Sequence, residues 1–167
     1  SKEVRGDVEP FTATAATASM AAPRDLPLPV VLDACRDVDD YNFSGDRIAA
    51  WRDFVDVAAT IRPMLGISLD AWRDAVETLG ETQAAVAVAF ILQRSEHSSE
   101  AQTLAGAEGR VVVAVNGSPA IRSPGGYLRA LTEKGREGAL PLWPALLAHL
   151  AQRAKQQGGR ARGGIAR

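Results

Sequence analysis

Gln83-Ala84-Ala85-Val86-Ala87-Val88-Ala89-Phe90-Ile91-Leu92-Gln93-Arg94 is the stretch that decides the fold. From Ala84 to Leu92 no polar side chain interrupts it. A helix that is apolar on every side has to lie at the centre of its domain. Its only polar groups stand at the ends, Gln83 on one side and Gln93 with Arg94 on the other. Along most of its length it lacks the Arg, Lys, Asn or Gln that would read base edges in a DNA groove. It is therefore expected to be core rather than reader.

Upstream, Ile48, Trp51, Phe54, Val55, Ala58 and Ile61 recur at helical spacing from a start at Asp46. Pro63 disfavours the helical conformation at Arg62 and is expected to interrupt this helix, with Gly66 ending the turn that follows. Ser68 caps a second helix with the stripe Leu69, Trp72, Val76 and Leu79, and Gly80 stops it. Val30, Val31, Leu32 and Cys35 predict a short helix over the core. Asp33 and the cluster Asp37, Asp39 and Asp40 could suggest a metal, but the oxygen-ligand loop with its fixed glycine is missing, and a solvated turn is the stronger expectation. Residues 1–28, with Thr-Ala repeats and scattered prolines, show no period and are expected to be a disordered linker.

Downstream, Ser95 to Gly109 is polar, rich in serine, and expected to be a loop. Arg110 to Val115, the turn pair Asn116-Gly117, and Ser118 to Arg122 predict a hairpin, because both turn residues tolerate positive φ. That hairpin is a candidate wing, or else a connection whose valine face packs on the core. Ser123-Pro124 opens another helix, its hydroxyl placed to accept from a free backbone N–H. Tyr127, Leu128 and Leu131 form its buried face, while Arg122, Arg129, Lys134 and Arg136 lie on or beside the other. Gly135 and Gly138 are expected to loosen the chain. Trp143-Pro144, Leu146, Leu147 and Leu150 mark a last helix ending near Arg153, followed over residues 154–167 by a basic flexible tail. The expectation is one domain over 29–153, mainly α, with four or five helices and one β-hairpin, winged-helix-like.

The formal net charge of −1 hides a reversal. Residues 1–121 hold 10 Lys plus Arg against 18 Asp plus Glu, net −8, and residues 122–167 hold 9 against 2, net +7. A basic segment on an acidic body suits phosphate contact, although a solubilising tail fits the charge equally well. The single Cys35 excludes an internal disulfide and has no local partner for nucleophilic catalysis. His97 and His149 stand too far apart for a ligand-spaced cluster, and no phosphate-binding G-x-x-x-x-G-K-[ST] occurs. No apolar run approaches the roughly 20 residues that span a bilayer. A cytoplasmic, non-catalytic protein without cofactor or metal is expected.

Trp51-Arg52-Asp53-Phe54, Arg62-Pro63-Met64-Leu65-Gly66-Ile67-Ser68, Ala71-Trp72, the run Gln83 to Arg94 and the stretch Ile121 to Leu131 together carry a resemblance. They resemble, in order, the C-terminal region of RepC, the replication initiator family of alphaproteobacterial repABC plasmids. The resemblance covers roughly Leu26 to Arg153, and Pro63 departs from the family's pattern. The N-terminal winged-helix region to which that family's origin recognition is assigned has no counterpart here. With Ser1 rather than an initiator methionine at its start, the chain is expected to be part of a longer protein. The resemblance implies a replication-initiator region whose partner is plasmid origin DNA. With the charge reversal, it makes Arg110, Arg122, Arg129, Lys134 and Arg136 candidate phosphate contacts, assisted by Arg153, Lys155 and the arginines after them. The competing expectation is a module that recruits host replication proteins or mediates self-association, through Asp37 to Asp40 or the loop from Ser95 to Gly109. No membrane partner is expected.

Overall fold

A computed structural model describes residues 27–165. The linker expected over 1–28 lies outside them apart from Pro27 and Leu28, and Leu28 already opens a helix. In chain order the described elements are α1 (Leu28–Ala34), a 3-10 segment (Arg36–Tyr41), α2 (Trp51–Met64), α3 (Leu69–Leu79) and α4 (Glu81–Arg94). There follow β1 (Ala101–Ala105), a short 3-10 turn, β2 (Val111–Val115), β3 (Ser118–Pro119), α5 (Pro124–Arg136) and α6 (Leu142–Ile165). The fold is mainly α with a small three-stranded antiparallel sheet.

The apolar run behaves as its composition requires. Every residue from Ala84 to Gln93 is buried, and the 3-10 segment, α2, α3 and α5 pack around the helix. In a winged-helix arrangement the helix just before the strands enters the DNA groove. Here that helix is α4, and its position at the centre leaves no face for a groove.

Around this axis, local chemistry sets the ends of the helices. The Asp53 carboxylate accepts from the backbone N–H of Ala49 and Ala50, both at 3.0 Å, so α2 starts at Trp51 and not at Asp46. Pro63 does not interrupt α2, which runs through it to Met64. The missing N–H costs one hydrogen bond in the last turn only. Leu65 N–H donates to the Ile61 carbonyl at 3.1 Å, Ile67 N–H to that of Arg62 at 3.1 Å, and Gly66 then turns with φ +77°. Ser68 caps α3 by accepting from Ala71 N–H at 3.1 Å. Ser123 precedes α5 without making such a bond, so Pro124 at the first position defines that start alone.

The sheet holds one expected and one unexpected pairing. Asn116 and Gly117 take φ +49° and +85° and join β2 to β3, the expected hairpin. The other edge of β2 pairs with β1, from Ala101 opposite Val115 to Ala105 opposite Val111, where the composition predicts a loop. β1 contains a single β-branched residue, Thr103, and carries no strand signal of its own. The valine-rich partner supplies the ladder.

Gly135 does not loosen the chain: it sits inside α5, where a Cβ would overlap Leu79 of α3, so it permits close helix packing. Gly138 does turn the chain beyond α5, at φ +80°. The last helix does not end near Arg153 but continues to Ile165, through residues expected to be a tail.

Candidate nucleic-acid interface

The expected phosphate contacts divide into four settings. Arg110 and Arg122 flank the hairpin, twelve positions apart in sequence, and line one cleft of about 500 Å³ with Glu96, Val111–Val113 and Pro119. Both are exposed, and neither makes a salt bridge among the described residues. Val111 is 69% exposed, so the face it shares with Val113 and Val115, expected against the core, is turned outward at this end of β2, and Val112 on the other face is 42% exposed.

Arg129, Lys134 and Arg136 project from α5 but do not form one face. Arg129 and Arg136 are seven residues apart and point the same way, whereas Lys134 lies about 140° around the helix from Arg129 at roughly 100° per residue. The shared side of Arg129 and Arg136 is turned toward α3. An Arg129 Nη2 lies 3.5 Å from Ser68 Oγ, and Arg136 bonds Asp74 at 2.9 Å, Thr78 at 3.1 Å and Glu133 at 2.5 Å. The hydrogen bonds from Arg136 to Asp74 and Glu133 raise its pKa and tie its charge to two carboxylates. Lys155, on α6, is exposed.

Arg153 has to be withdrawn from the phosphate-contact set. It is buried, 4% exposed, and its guanidinium is spent inside the protein. Nη1 donates to the Asp33 carbonyl at 2.7 Å and Nη2 to that of Ala34 at 2.8 Å, the open C-terminal end of α1, while Nε pairs with Glu100. The carboxylate of Glu100 also accepts from His149 Nε2 at 2.9 Å and from Gln93 Nε2 at 3.1 Å. Burial alone would push the Glu100 carboxyl up, yet the bonds from Arg153, His149 and Gln93 hold it below the usual carboxylate range. Burial drives His149 the other way, below the ordinary imidazole value, against the pull of Glu100.

The same polar centre claims part of the acidic cluster. Asp37 is not in a solvated turn but buried, accepting from Ser99 N–H at 2.6 Å and Ser99 Oγ at 2.5 Å, while its own N–H donates to Gln93 Oε1 at 2.9 Å. Asp39 and Asp40 are exposed, and among the described residues no group of His, Cys, Asp and Glu is placed to hold a metal ion. Cys35 is wholly buried, which raises its thiol well above the ordinary value and disfavours the thiolate. Sequence spacing hides all of this: Asp37, Gln93, Glu100, His149 and Arg153 are scattered along most of the chain and meet only in the fold. The sole signal is polarity at the end of an otherwise apolar run, at Gln93.

Trp143 is buried in the core, while Trp51 and Trp72 are half-buried against it. Tyr127, expected in the buried face of α5, is 36% exposed, with its ring 6.4 Å from that of Phe90.

No helix among the described residues is long and apolar enough to cross a membrane. Comparison with known proteins puts these features in a family. Residues 27–107 match the family model described as the replication protein C C-terminal region. The chain is 36% identical over 125 residues to a protein named as replication protein C in Rhizobium rhizogenes, an alignment covering 75% of this chain and 25% of that protein. It is also 36% identical over 128 residues to one so named in Sinorhizobium fredii, covering 77% and 26%. The chain thus spans about a quarter of the length of the curated relatives it matches. No solved structure matches it. Through residues 27–107 and these two relatives, the chain belongs to the replication protein C family, as its C-terminal region.

Proposed function

We propose that this region serves a plasmid replication initiator by gripping the DNA backbone near the origin, without catalysis, as a cytoplasmic accessory to a sequence-reading part elsewhere in the protein. The observation that carries this reading is the cleft in which Arg110 and Arg122, both exposed and outside any salt bridge among the described residues, converge from two ends of the hairpin. Two convergent cations with no carboxylate bound to them suit phosphate oxygens, and contacts to phosphate fix position without reading sequence. Lys134, Lys155 and Arg129 extend the positive surface away from that cleft.

Affinity for duplex should therefore depend little on sequence and fall steeply with salt. Fluorescence anisotropy against origin duplex and random duplex, over a salt series, tests it. Arg110→Ala with Arg122→Ala should weaken both equally and reduce the log–log salt slope by roughly 2, about one for each phosphate no longer neutralised. An unchanged affinity and slope would remove the proposal.

A second reading keeps a specific observation. Leu104 and Val112, partners across the ladder, leave an apolar area on one face of the sheet, as a protein-recruiting surface would. Loss of a host replication partner on Leu104→Ser with unchanged DNA affinity would favour recruitment.

A further inference from the structure

Three clefts contain carboxylates: Glu96 in that of Arg110 and Arg122, Glu100 in that of Arg36 and Arg153, and Asp46, Asp53 and Asp56 in one beside α2. A further cleft contains a cation and no acid. It lies where the end of α4, the β2–β3 turn, the start of α5 and the first half of α6 meet, and has a volume of about 330 Å³. Arg94, Tyr127, Asn116 and Gln152 bring charge, a ring and two amides to it, over a floor that includes Phe90.

Arg94 is the unusual member. Half-buried, it is in no salt bridge among the described residues, and its guanidinium meets only backbone oxygens, Val115 at 3.4 Å and Pro119 at 3.2 Å. Two long bonds to neutral acceptors leave donors of its five-donor fork free, and a fork of that shape matches phosphate. Tyr127 stands on the wall with a third of its surface open. Asn116 and Gln152 are half-buried, and their side-chain amides each offer both a donor and an acceptor.

We propose that this cleft seats one nucleotide of single-stranded DNA. Its phosphate lies on Arg94, its base stacks on Tyr127, and the base edge meets the amides of Asn116 and Gln152. The volume is at the low end of the roughly 300–1,000 Å³ typical of ligand sites, which suits a single nucleotide. A base paired in duplex keeps its face covered and its edge occupied, so the cleft selects for unpaired DNA. Pro119 links this cleft to the other: it lines the one with Arg110 and Arg122, and its carbonyl accepts from Arg94. A strand leaving the backbone grip thus has a place for its first unpaired nucleotide.

The inference rests on the backbone-binding reading, and its test separates the two. Anisotropy is measured for this chain with a labelled oligo-dT single strand and with a random duplex, at one salt concentration. Tyr127→Ala should weaken the single strand by roughly 5- to 150-fold, the range for loss of one stacked base, and leave the duplex unchanged. Tyr127→Phe should retain single-strand affinity, and Gln152→Ala should lower it with the duplex again unaffected. Thermal melts check that each variant is folded. Equal losses on both DNAs, or no loss on the single strand, would overturn the nucleotide site alone. Failure of the wild-type chain to bind either DNA at low salt would overturn both proposals.

Discussion

At the scale of single residues, the charge on Arg153 serves the fold. Its side chain is 5% exposed and that of Glu100 14%, so removing the guanidinium leaves two carbonyls of α1 without their donor and the Glu100 carboxylate with only His149 and Gln93 as partners. Breaking a buried pair from one side costs about 3–5 kcal/mol. Arg153→Ala should lose that much in urea unfolding, and a loss below about 1 kcal/mol would show the site open to water. The same centre gives stability a pH dependence whose sign is fixed. Both Glu100 and His149 have folded pKa values below their ordinary ones. A depressed value stabilises the fold above the unfolded pKa, and the contribution is lost as pH falls through the folded one. Stability should then be level above about pH 7 and decline below about 6.5 as His149 begins to oppose folding. It should decline further below about 4.3, where Glu100 would have to take up its proton. His149→Gln should abolish the upper part of that decline and spare the lower, as read from unfolding midpoints across pH.

At the scale of elements, the fit between α3 and α5 depends on Gly135. Two effects oppose each other on Gly135→Ala, near the end of α5: alanine is the better helix former by up to about 1 kcal/mol, while overpacking against the Leu79 side chain costs about 1–3 kcal/mol. Net destabilisation is expected in the wild-type background. In a Leu79→Ala background the clash is gone and the same substitution should stabilise by up to about 1 kcal/mol. The reversal of sign is what a double-mutant cycle would measure. The α3–α5 fit also shows what a linear reading misses. Gly135 resembles a helix breaker in sequence because its only virtue is a missing Cβ opposite Leu79, which lies on another helix. β1 is hidden for a similar reason, its strand character being lent by β2 across the ladder. Asp37 looks solvated in sequence because its acceptors are satisfied by Ser99, 62 residues away. By contrast α4 and the Asn116-Gly117 turn are legible. Burial on every face and positive φ at two adjacent positions are properties of the local residues themselves.

At the scale of the whole molecule, the reversal of charge at Arg122 describes the chain but not its surface. Arg153 is internal, Arg129 and Arg136 share a side of α5 with the acids of α3, and Lys134 lies on another side. What remains as an open pair is Arg110 with Arg122, one from each half of that division. The salt dependence of duplex binding should rank the cations by how far each is already neutralised. A cation tied to carboxylates in the free protein must leave them to reach a phosphate, and its transfer gains little. Single alanine variants should reduce the log–log slope by roughly one each at Arg110 and Arg122, and less at Arg129 and Lys134, which have no carboxylate partner among the described residues but lie outside that cleft. Arg136, held by Asp74 and Glu133, should change it least. A slope most sensitive to Arg136→Ala would instead move the duplex from the hairpin cleft to the α3–α5 side. The Arg136 pairs would then be ion pairs that open when DNA arrives.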